Sequence, residues 1–271
     1  MLPIATLRDQ RPSGSDEIVR RFEVRPLSWE TGFFEERMGA LVLTEGTGNG
    51  PLNVQADALS DELRSALREA EVDGFRHLSL RLAAHDLAAV WAAERCGLRL
   101  MDVAVDLRFR FDSTALPARG ERAVRLGQRA DVPAMREMTA GAFGLTRFGA
   151  DPFFTQPQVD SFYATWATNL FEGLADAVLI AELEGRPAAF VSTKRAPDGS
   201  GRIPLVATAT EFQRRGIARD LVAAALAWFA DAGCSVAYVK TQAANYPAVA
   251  LYERAGFTIS QSELTFTTTL N

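Results

Sequence analysis

The sequence predicts an α/β (α+β) fold in which a mixed sheet is flanked by helices, and three observations support this prediction. Strand patterns with alternating apolar residues and helix patterns with a 3.6-residue period follow one another along the chain. Hydrophobic residues make up 48% and charged residues 23% of the 271 residues, as in globular proteins with a sizeable core. A unit of helix, strand, helix and strand occurs in each half.

The first half begins with a polar arm at residues 1–20, which offers little apolar surface for burial. A glycine- and asparagine-rich loop is expected at 44–53. The helices are expected to end at Gly74 and Gly97, because glycine readily takes the left-handed conformation after a helix. Residues 22–34 are expected to contain a strand-like piece and an aromatic cluster. Strand patterns are expected at 40–44, 77–82 and 103–111, and helices at 60–72 and 86–95.

The best linker candidate is the polar stretch 112–121, where Pro117 and Gly120 stand between two strand patterns. We therefore expect an N-terminal domain at 1–118 and a second domain at 119–271.

The second half opens with a strand, a turn and a helix at 123–143, with Asp131 expected as the N-cap and Pro133 in the first turn. A hairpin at 177–195 is expected to turn at 184–186. The later strands are expected at 202–210, 236–241 and 262–269, and the later helices at 216–233 and 247–254.

An internal repeat relates the two halves at an offset of 159 residues. Gly74 aligns with Gly233 and Gly97 with Gly256, so the same two helices end at glycine in both halves. The pair Glu-Arg precedes the second glycine in both copies, and the strand phases agree. Coincidence among alanine-rich helices is the alternative explanation.

Composition excludes several classes of function. A net charge of −5 argues against nucleic acid or an anionic membrane as the main partner. The chain has no run of 18 or more apolar residues and no secretory pattern at its start, so no membrane span is expected. Cys96 and Cys234 are expected as reduced packing residues of a cytoplasmic protein. The only histidines, His77 and His85, are too few for a histidine metal site or a catalytic triad, and no metal is expected.

The strongest local motif is Gln213-Arg214-Arg215-Gly216-Ile217-Ala218, which separates a strand from a long helix. Backbone N–H groups at a helix start have no intrahelical partner, and the helix dipole adds positive potential there, so such a turn binds phosphate. Gly216 and Ala218 leave room for a pyrophosphate, and Arg214 and Arg215 add charge. A basic helix start without any ligand is the alternative.

This motif, followed by Asn245, Tyr252 and the pair Gly256-Phe257, resembles the GNAT superfamily of acyl-CoA-dependent N-acetyltransferases across residues 123–271. The resemblance implies the GNAT fold, acetyl-CoA as co-substrate and a tyrosine that protonates the leaving thiolate. It implies that residues 1–118 are a degenerate half-domain of the same kind. The CoA-binding residues that it implies are Val206, Ala207, Thr208, Gln213, Arg214, Arg215, Gly216, Ile217, Ala218, Arg219 and Asn245.

The chemistry supports the role that the resemblance gives to Tyr252. A phenol has a pKa of about 10 and a free thiol about 8.5, so the hydroxyl can donate a proton without prior ionisation. A backbone N–H near Thr208 is expected to polarise the thioester carbonyl. A tyrosine that merely fills the core is the alternative for Tyr252.

A closer likeness spans both halves and joins the stretches 26–34, 146–148, 162–169 and 239–252. These stretches resemble GNAT enzymes that acetylate the amino group of a nucleotide-linked sugar, and the resemblance implies a homodimer. It departs at Gly149 and Leu251, where the relatives carry basic residues, and in a longer loop before Gln213. The predicted substrate-binding residues are Phe34, Arg147, Phe148 and Tyr163. The aromatic residues of 144–171 fill a core in the alternative interpretation.

The identity of the general base that would take the proton of the amine stays open. The candidates are Asp151, Asp160, Glu211 and a water relay. The first copy has Asp86 and Ala93 where the second has Asn245 and Tyr252, so a single site is expected. Three hypotheses follow: an amino-sugar N-acetyltransferase, an N-acetyltransferase for another small amine such as an antibiotic or amino acid, and a non-catalytic acyl-CoA-binding module.

Overall fold

A computed structural model describes residues 21–44, 50–118, 120 and 122–271. The predicted polar arm at 1–20 lies outside the described residues, as do positions 119 and 121 of the predicted linker. The described chain forms two compact units: unit 1 runs to Val103 and takes up Glu263–Asn271, and unit 2 is Ala104–Ser262. The chain crosses from one unit to the other at 103/104 and at 262/263, inside strands and not in the predicted linker at 112–121. The domain boundary at 118/119 stays a prediction.

The described residues of unit 1 form strands of mixed direction and three helices. The strands β1 and β2 are antiparallel, β2 is parallel to β3, and the end of β11 is antiparallel to β3. The elements are β1 Phe22–Pro26, α1 Ser28–Phe34, β2 Met38–Leu43, α2 Leu52–Val72, β3 His77–Ala83, α3 Leu87–Arg95, the start of β4 Arg99–Arg110 and the end of β11 Thr258–Thr269.

Helix α2 corrects the sequence prediction, because it begins at Leu52 and not at residue 60. Pro51 stands at its N-cap with an extended backbone, and proline is well suited to a helix start. Ala56 and Leu59 already carry the apolar stripe that Leu63 continues, so the predicted loop at 44–53 extends too far by two residues.

The strands of unit 2 are also paired in mixed directions. The strand order is β4–β10–β8–β7–β6–β5, with β9 paired to β7; β10 and β8 are parallel and the other pairs are antiparallel. The elements are β5 Val124–Leu126, α4 Val132–Thr139, α5 Arg147–Ala150, α6 Gln156–Asn169, β6 Ala177–Leu183, β7 Arg186–Arg195, β8 Gly201–Ile203, β9 Val206–Thr208, α7 Ile217–Asp231, β10 Val236–Gln242 and α8 Tyr246–Arg254.

The predicted single strand at 202–210 is wrong, since the chain breaks into β8 and β9 around Pro204. Proline has no N–H to give to a neighbouring strand. Before the break, β8 pairs with both β10 and β7. After the break, β9 pairs with β7 alone. The Ser192 hydroxyl accepts from the Leu205 N–H at 2.9 Å and so satisfies the backbone at this point.

The core of unit 2 lies between the sheet and the helices α7 and α8. Phe229 of α7 packs so closely on Gly201 of β8 that a Cβ at Gly201 would lie 2.5 Å from the ring. The predicted cap Asp131 directly precedes α4, but its side chain makes no cap hydrogen bond. Instead the Asp131 carboxylate accepts two bonds of 2.8 Å from Arg125 and one of 2.7 Å from the Gln128 N–H.

The internal repeat is visible in the element bounds. An offset of 159 residues maps β3 onto β10, α3 onto α8 and β4 onto β11, end for end. Gly74 and Gly233 follow the corresponding helices with φ of +77° and +75°. The correspondence fails at the start of α2, which begins earlier than α7 does.

Candidate active site

The loop before α7 has the geometry of an anion cradle. Gly216 stands at the N-cap with φ of +79°, and no side chain caps the helix. The N–H groups of Ile217, Ala218 and Arg219 therefore lie at a helix start without intrahelical partners. Gln213 through Gly216 are exposed, so the cradle opens to solvent.

Arg214 and Arg215 contribute differently to this loop. Arg214 takes a left-handed backbone with φ of +60° and has no ion-pair partner among the described residues. The Arg215 guanidinium lies 3.3 Å from Glu184, which reduces the positive charge that it offers to a phosphate. Arg214 is therefore the better placed of the two predicted cations.

Arg122, which no sequence pattern singled out, connects the loop to α7. Its guanidinium donates to the Asp220 carboxylate at 2.6 Å and to the Arg215 carbonyl at 2.7 Å. Asp220 is only 3% exposed, and a Cβ at Gly120 would collide with its carboxylate. A buried carboxylate requires a charged or hydrogen-bonding partner. Asp220 on the apolar face of α7 was therefore the feature of the sequence from which such a partner could have been predicted.

The strands β9 and β10 part from each other beside this loop. The pair Ile203–Val239 is the last between β8 and β10; beyond it β9 stays with β7, and the end of β10 stays with β4. No backbone pairing joins β9 to β10, both of which are described in full. The result is a wedge-shaped gap in the sheet, here called the splay.

Backbone groups of β9 are turned towards the splay. Leu205 and Ala209 bond to β7, through Ser192 N–H to Leu205 carbonyl and Ala209 N–H to Ala188 carbonyl, both at 2.9 Å. Peptide groups alternate in direction along a strand, so those of Val206 and Thr208 point away from β7. The Gln213 side chain donates to the Thr208 carbonyl at 3.3 Å, which links the loop to the splay.

Tyr252 of α8 is 4% exposed and belongs to the same core cluster as Ile203 and Val239. Its ring lies 5.6 Å from that of Phe257. Its hydroxyl forms no hydrogen bond with any residue that the structure describes. Burial raises the pKa of the Tyr252 phenol above its ordinary value, so this group stays protonated at neutral pH.

Asn245 is the N-cap of α8, where its side-chain oxygen accepts from the Ala248 N–H at 3.3 Å. Asp86 makes the corresponding bond to the Ala89 N–H at 3.3 Å in unit 1. Helix capping thus explains a polar residue at both positions. The contact between Asn245 and the pantetheine arm stays a prediction.

The predicted substrate residues of unit 2 lie in a packed aromatic cluster. The Phe148 ring lies 4.5 Å from that of Phe162, and the Arg147 guanidinium lies 4.1 Å above the Phe148 ring. Tyr163 stacks on Phe143 at 3.9 Å. Phe148 and Tyr163 are buried, as the core alternative requires, and their contact with an acceptor stays a prediction.

Phe34 lies in unit 1, at the end of α1. It is buried, and its ring lies 4.9 Å from that of Phe33. Its contact with an acceptor also stays a prediction.

The candidate bases serve local structure. Asp151 accepts from the Phe153 N–H at 3.0 Å, and Asp160 accepts from the Gly141 N–H at 2.9 Å. Glu211 is exposed in a short 3₁₀ turn. Their arrangement assigns the base to none of them, and a water relay stays open beside them.

The described part of unit 1 has no counterpart to the loop at the aligned positions. Residues 54–59, which align with Gln213–Ala218, lie inside α2. Their N–H groups are therefore directed along a helix, and those beyond its first turn are bonded within it. Ala93 takes the position of Tyr252.

Within the described ranges, no cluster of three or more histidine, cysteine, aspartate or glutamate residues has the spacing to hold a metal ion. The same ranges contain no helix that is both long and apolar enough to span a membrane.

Comparisons with known proteins place these features in context. The model of the acetyltransferase (GNAT) family matches residues 144–257. A dTDP-fucosamine acetyltransferase from Escherichia coli O6:H1 is 26% identical over 246 residues, covering 89% of this chain and 96% of that protein. A mycothiol acetyltransferase from Streptomyces bingchenggensis is 34% identical over 94 residues, covering 34% of this chain and 30% of that protein.

Among solved structures, a GCN5-related N-acetyltransferase from Sphaerobacter thermophilus matches with a TM-score of 0.61 and 15% identity. The match covers 86% of this chain and 73% of that chain, and it is a likeness of fold.

Proposed function

We propose a function for this chain, which carries an acetyltransferase domain of the GNAT family. The proposed reaction transfers the acetyl group of acetyl-CoA to the amino group of a nucleotide-linked sugar. The family match confirms the predicted fold class and the prediction of an acetyltransferase. The acceptor is proposed from the similarity to a dTDP-fucosamine acetyltransferase across most of the chain.

One observation carries the proposal: the open helix start of α7, the splay and Tyr252 occur together in unit 2. The N–H groups at the start of α7 suit the pyrophosphate of CoA, with Arg214 adding charge. The peptide groups of Val206 and Thr208 turn into the splay, where a pantetheine arm would find strand-like partners.

The residues of this chain then support each step of acetyl transfer. An N–H of Val206 or Thr208 donates to the thioester oxygen as negative charge builds there. The neutral amine attacks the carbonyl carbon, the C–N bond forms and the C–S bond breaks. The Tyr252 hydroxyl gives its proton to the departing thiolate, and the amine proton leaves to a base or to water.

The test is a thiol-release assay with acetyl-CoA and a panel of nucleotide-linked amino sugars and free amines. Turnover confined to nucleotide-linked amino sugars is the expected result. Turnover with free amines alone would refute the proposed acceptor and leave the acetyltransferase intact.

A second acceptor class, another small amine, is favoured by the match to a mycothiol acetyltransferase, which is named for mycothiol and not for a nucleotide-linked sugar. The same panel separates the two classes.

The proposal also includes a homodimer and a location in the cytoplasm. The two free thiols, Cys96 and Cys234, suit a reducing compartment. Light scattering measures the oligomeric state.

A further inference from the structure

Three side chains form a row across the sheet of unit 2. Arg202 of β8 lies in register beside Tyr238 of β10, which lies beside Arg108 of β4. Side chains alternate between the two faces of a strand, and the adjacent residues that belong to the core beneath α7 are Ile203, Val239 and Leu107. The arginine row, Arg202–Tyr238–Arg108, therefore lies on the face turned away from α7.

Neither guanidinium group of the arginine row forms an ion pair with a carboxylate among the described residues, although the charge of Arg202 contributes to lowering the pKa of the Asp198 carboxyl. The Arg202 guanidinium lies 5.4 Å from the centre of the Tyr238 ring. The other cations on this face are paired: Lys194 with Asp176 at 2.7 Å, Lys240 with Asp106 at 3.3 Å and Arg110 with Asp112 at 2.9 Å. Unlike these three cations, Arg108 and Arg202 are in no ion pair with a described carboxylate.

Arg108 also carries a hydrogen-bond donor without an acceptor. Its Nε is shielded from solvent, and no described atom accepts a bond from it. Such orphaned donors are rare in folded proteins, and each calls for a specific explanation. An anion bound at the row would provide the acceptor.

The arginine row borders the splay. Ile203 and Val239, the last pair before the strands part, directly follow Arg202 and Tyr238 in sequence. The peptide group of Val206 turns into the splay. Val206 is three residues after Ile203, which is about 10 Å at the usual rise of a strand. A molecule held by a phosphate at the row therefore has its other end within reach of the splay.

We propose that the arginine row binds the diphosphate of a nucleotide-linked acceptor. Guanidinium groups bind phosphate oxygens through paired N–H bonds, and two of them flanking an aromatic ring match a diphosphate in charge. The pyrophosphate of CoA is assigned to the start of α7, on the other face, so donor and acceptor meet at the splay from opposite sides. This inference rests on the proposed function and adds the residues that select a nucleotide-linked acceptor.

The experiment compares Arg108→Gln and Arg202→Gln with Arg110→Gln, a matched control on the same face whose cation is paired. Steady-state kinetics give KM for the nucleotide-linked amino sugar and for acetyl-CoA, and calorimetry measures binding of thymidine diphosphate to enzyme saturated with CoA. We expect the acceptor KM to rise about tenfold in each test variant, as for loss of a charge-assisted bond, with unchanged KM for acetyl-CoA. Thymidine diphosphate binding should weaken in parallel, and Arg110→Gln should behave as wild type.

An unchanged acceptor KM and unchanged thymidine diphosphate affinity in both test variants would overturn the assignment of the row and leave the proposed acetyl transfer in place. Binding of thymidine diphosphate that CoA abolishes would also overturn it, because the site would then be that of the donor. If Arg108→Gln lowers Tm strongly, the acceptor KM and the thymidine diphosphate affinity of Arg108→Lys and Arg202→Gln decide whether the assignment of the row holds. The calorimetric readout does not depend on turnover, so it stands even if the panel refutes the proposed acceptor.

Discussion

At the scale of single residues, the position of Ala93 in one copy and Tyr252 in the other distinguishes the two copies of the repeat. Ala93 and Tyr252 are both buried on the second helix of their copy, and each accepts a 3.0 Å bond from the backbone N–H five residues later. The backbone at this position therefore works equally well with alanine. The Tyr252 residue is 4% exposed, and its hydroxyl is not among the described polar atoms that are both shielded from solvent and unpaired, so the hydroxyl keeps some access to a ligand or solvent.

Tyr252→Phe removes the proposed acid and keeps the ring against Phe257. We expect kcat to fall about 10²- to 10⁴-fold, the usual range for a general acid, with little change in KM for acetyl-CoA. Thiol release under saturating substrates measures the effect. Tyr246→Phe is the matched control, because Tyr246 lies on the same helix and is 76% exposed. Full activity of Tyr252→Phe would leave Tyr252 as a packing residue.

The pH profile tests the protonation state of the same group. Burial raises the Tyr252 pKa, so the phenol keeps its proton above the ordinary value of about 10. We expect kcat to show no loss between pH 7 and pH 9.5, where an exposed phenol would begin to ionise. A decline of kcat with an apparent pKa below 9, absent from Tyr252→Phe, contradicts a buried neutral acid.

At the scale of elements, the sequence predicted what is local and missed what is distant. The turn before α7 was predicted because its motif, glycine and helix start are contiguous. The contact of Arg122 with Asp220 joins residues 98 positions apart and leaves no periodic pattern. The splay was missed for another reason: residues 202–210 have the alternation of one strand, and only the change of partners at Pro204 reveals two.

Arg122→Gln should loosen the loop before α7, because it removes the bond to the Arg215 carbonyl and the charge beside Asp220. We expect KM for acetyl-CoA to rise about tenfold, in line with roughly 1.4 kcal/mol for a lost charge-assisted bond, while the acceptor KM changes little. Arg129→Gln, which breaks an exposed pair with Glu172 in the same unit, is the control and should change neither constant. Equal increases in both KM values would indicate general damage and not a role in positioning the loop.

At the scale of the whole molecule, the described chain contains two copies of one topology, and the open helix start stands before α7 but not at the aligned residues of α2. The element bounds of the copies agree from β3 to β4 and from β10 to β11, so packing positions explain that part of the repeat. The element bounds differ in the preceding helix, where α2 continues through residues that align with the open turn before α7. At the offset of 159 residues α2 begins six residues earlier than α7, and this extension removes the unpaired N–H groups on which phosphate binding at that point depends.

A pair of matched glycine substitutions tests whether the chain has one CoA site or two. Gly74 in unit 1 and Gly216 in unit 2 have φ of +77° and +79°, so alanine at either position brings the same backbone strain, about 1–2 kcal/mol. Only at Gly216 does the added methyl group enter the cradle, where it would lie 3.6 Å from Arg122. Calorimetry of wild type should give one CoA per chain; Gly216→Ala should weaken that binding at least tenfold, and Gly74→Ala should leave it unchanged while lowering Tm to a similar extent. Two CoA molecules per chain, or an equal loss of affinity in both variants, would contradict a single site in unit 2.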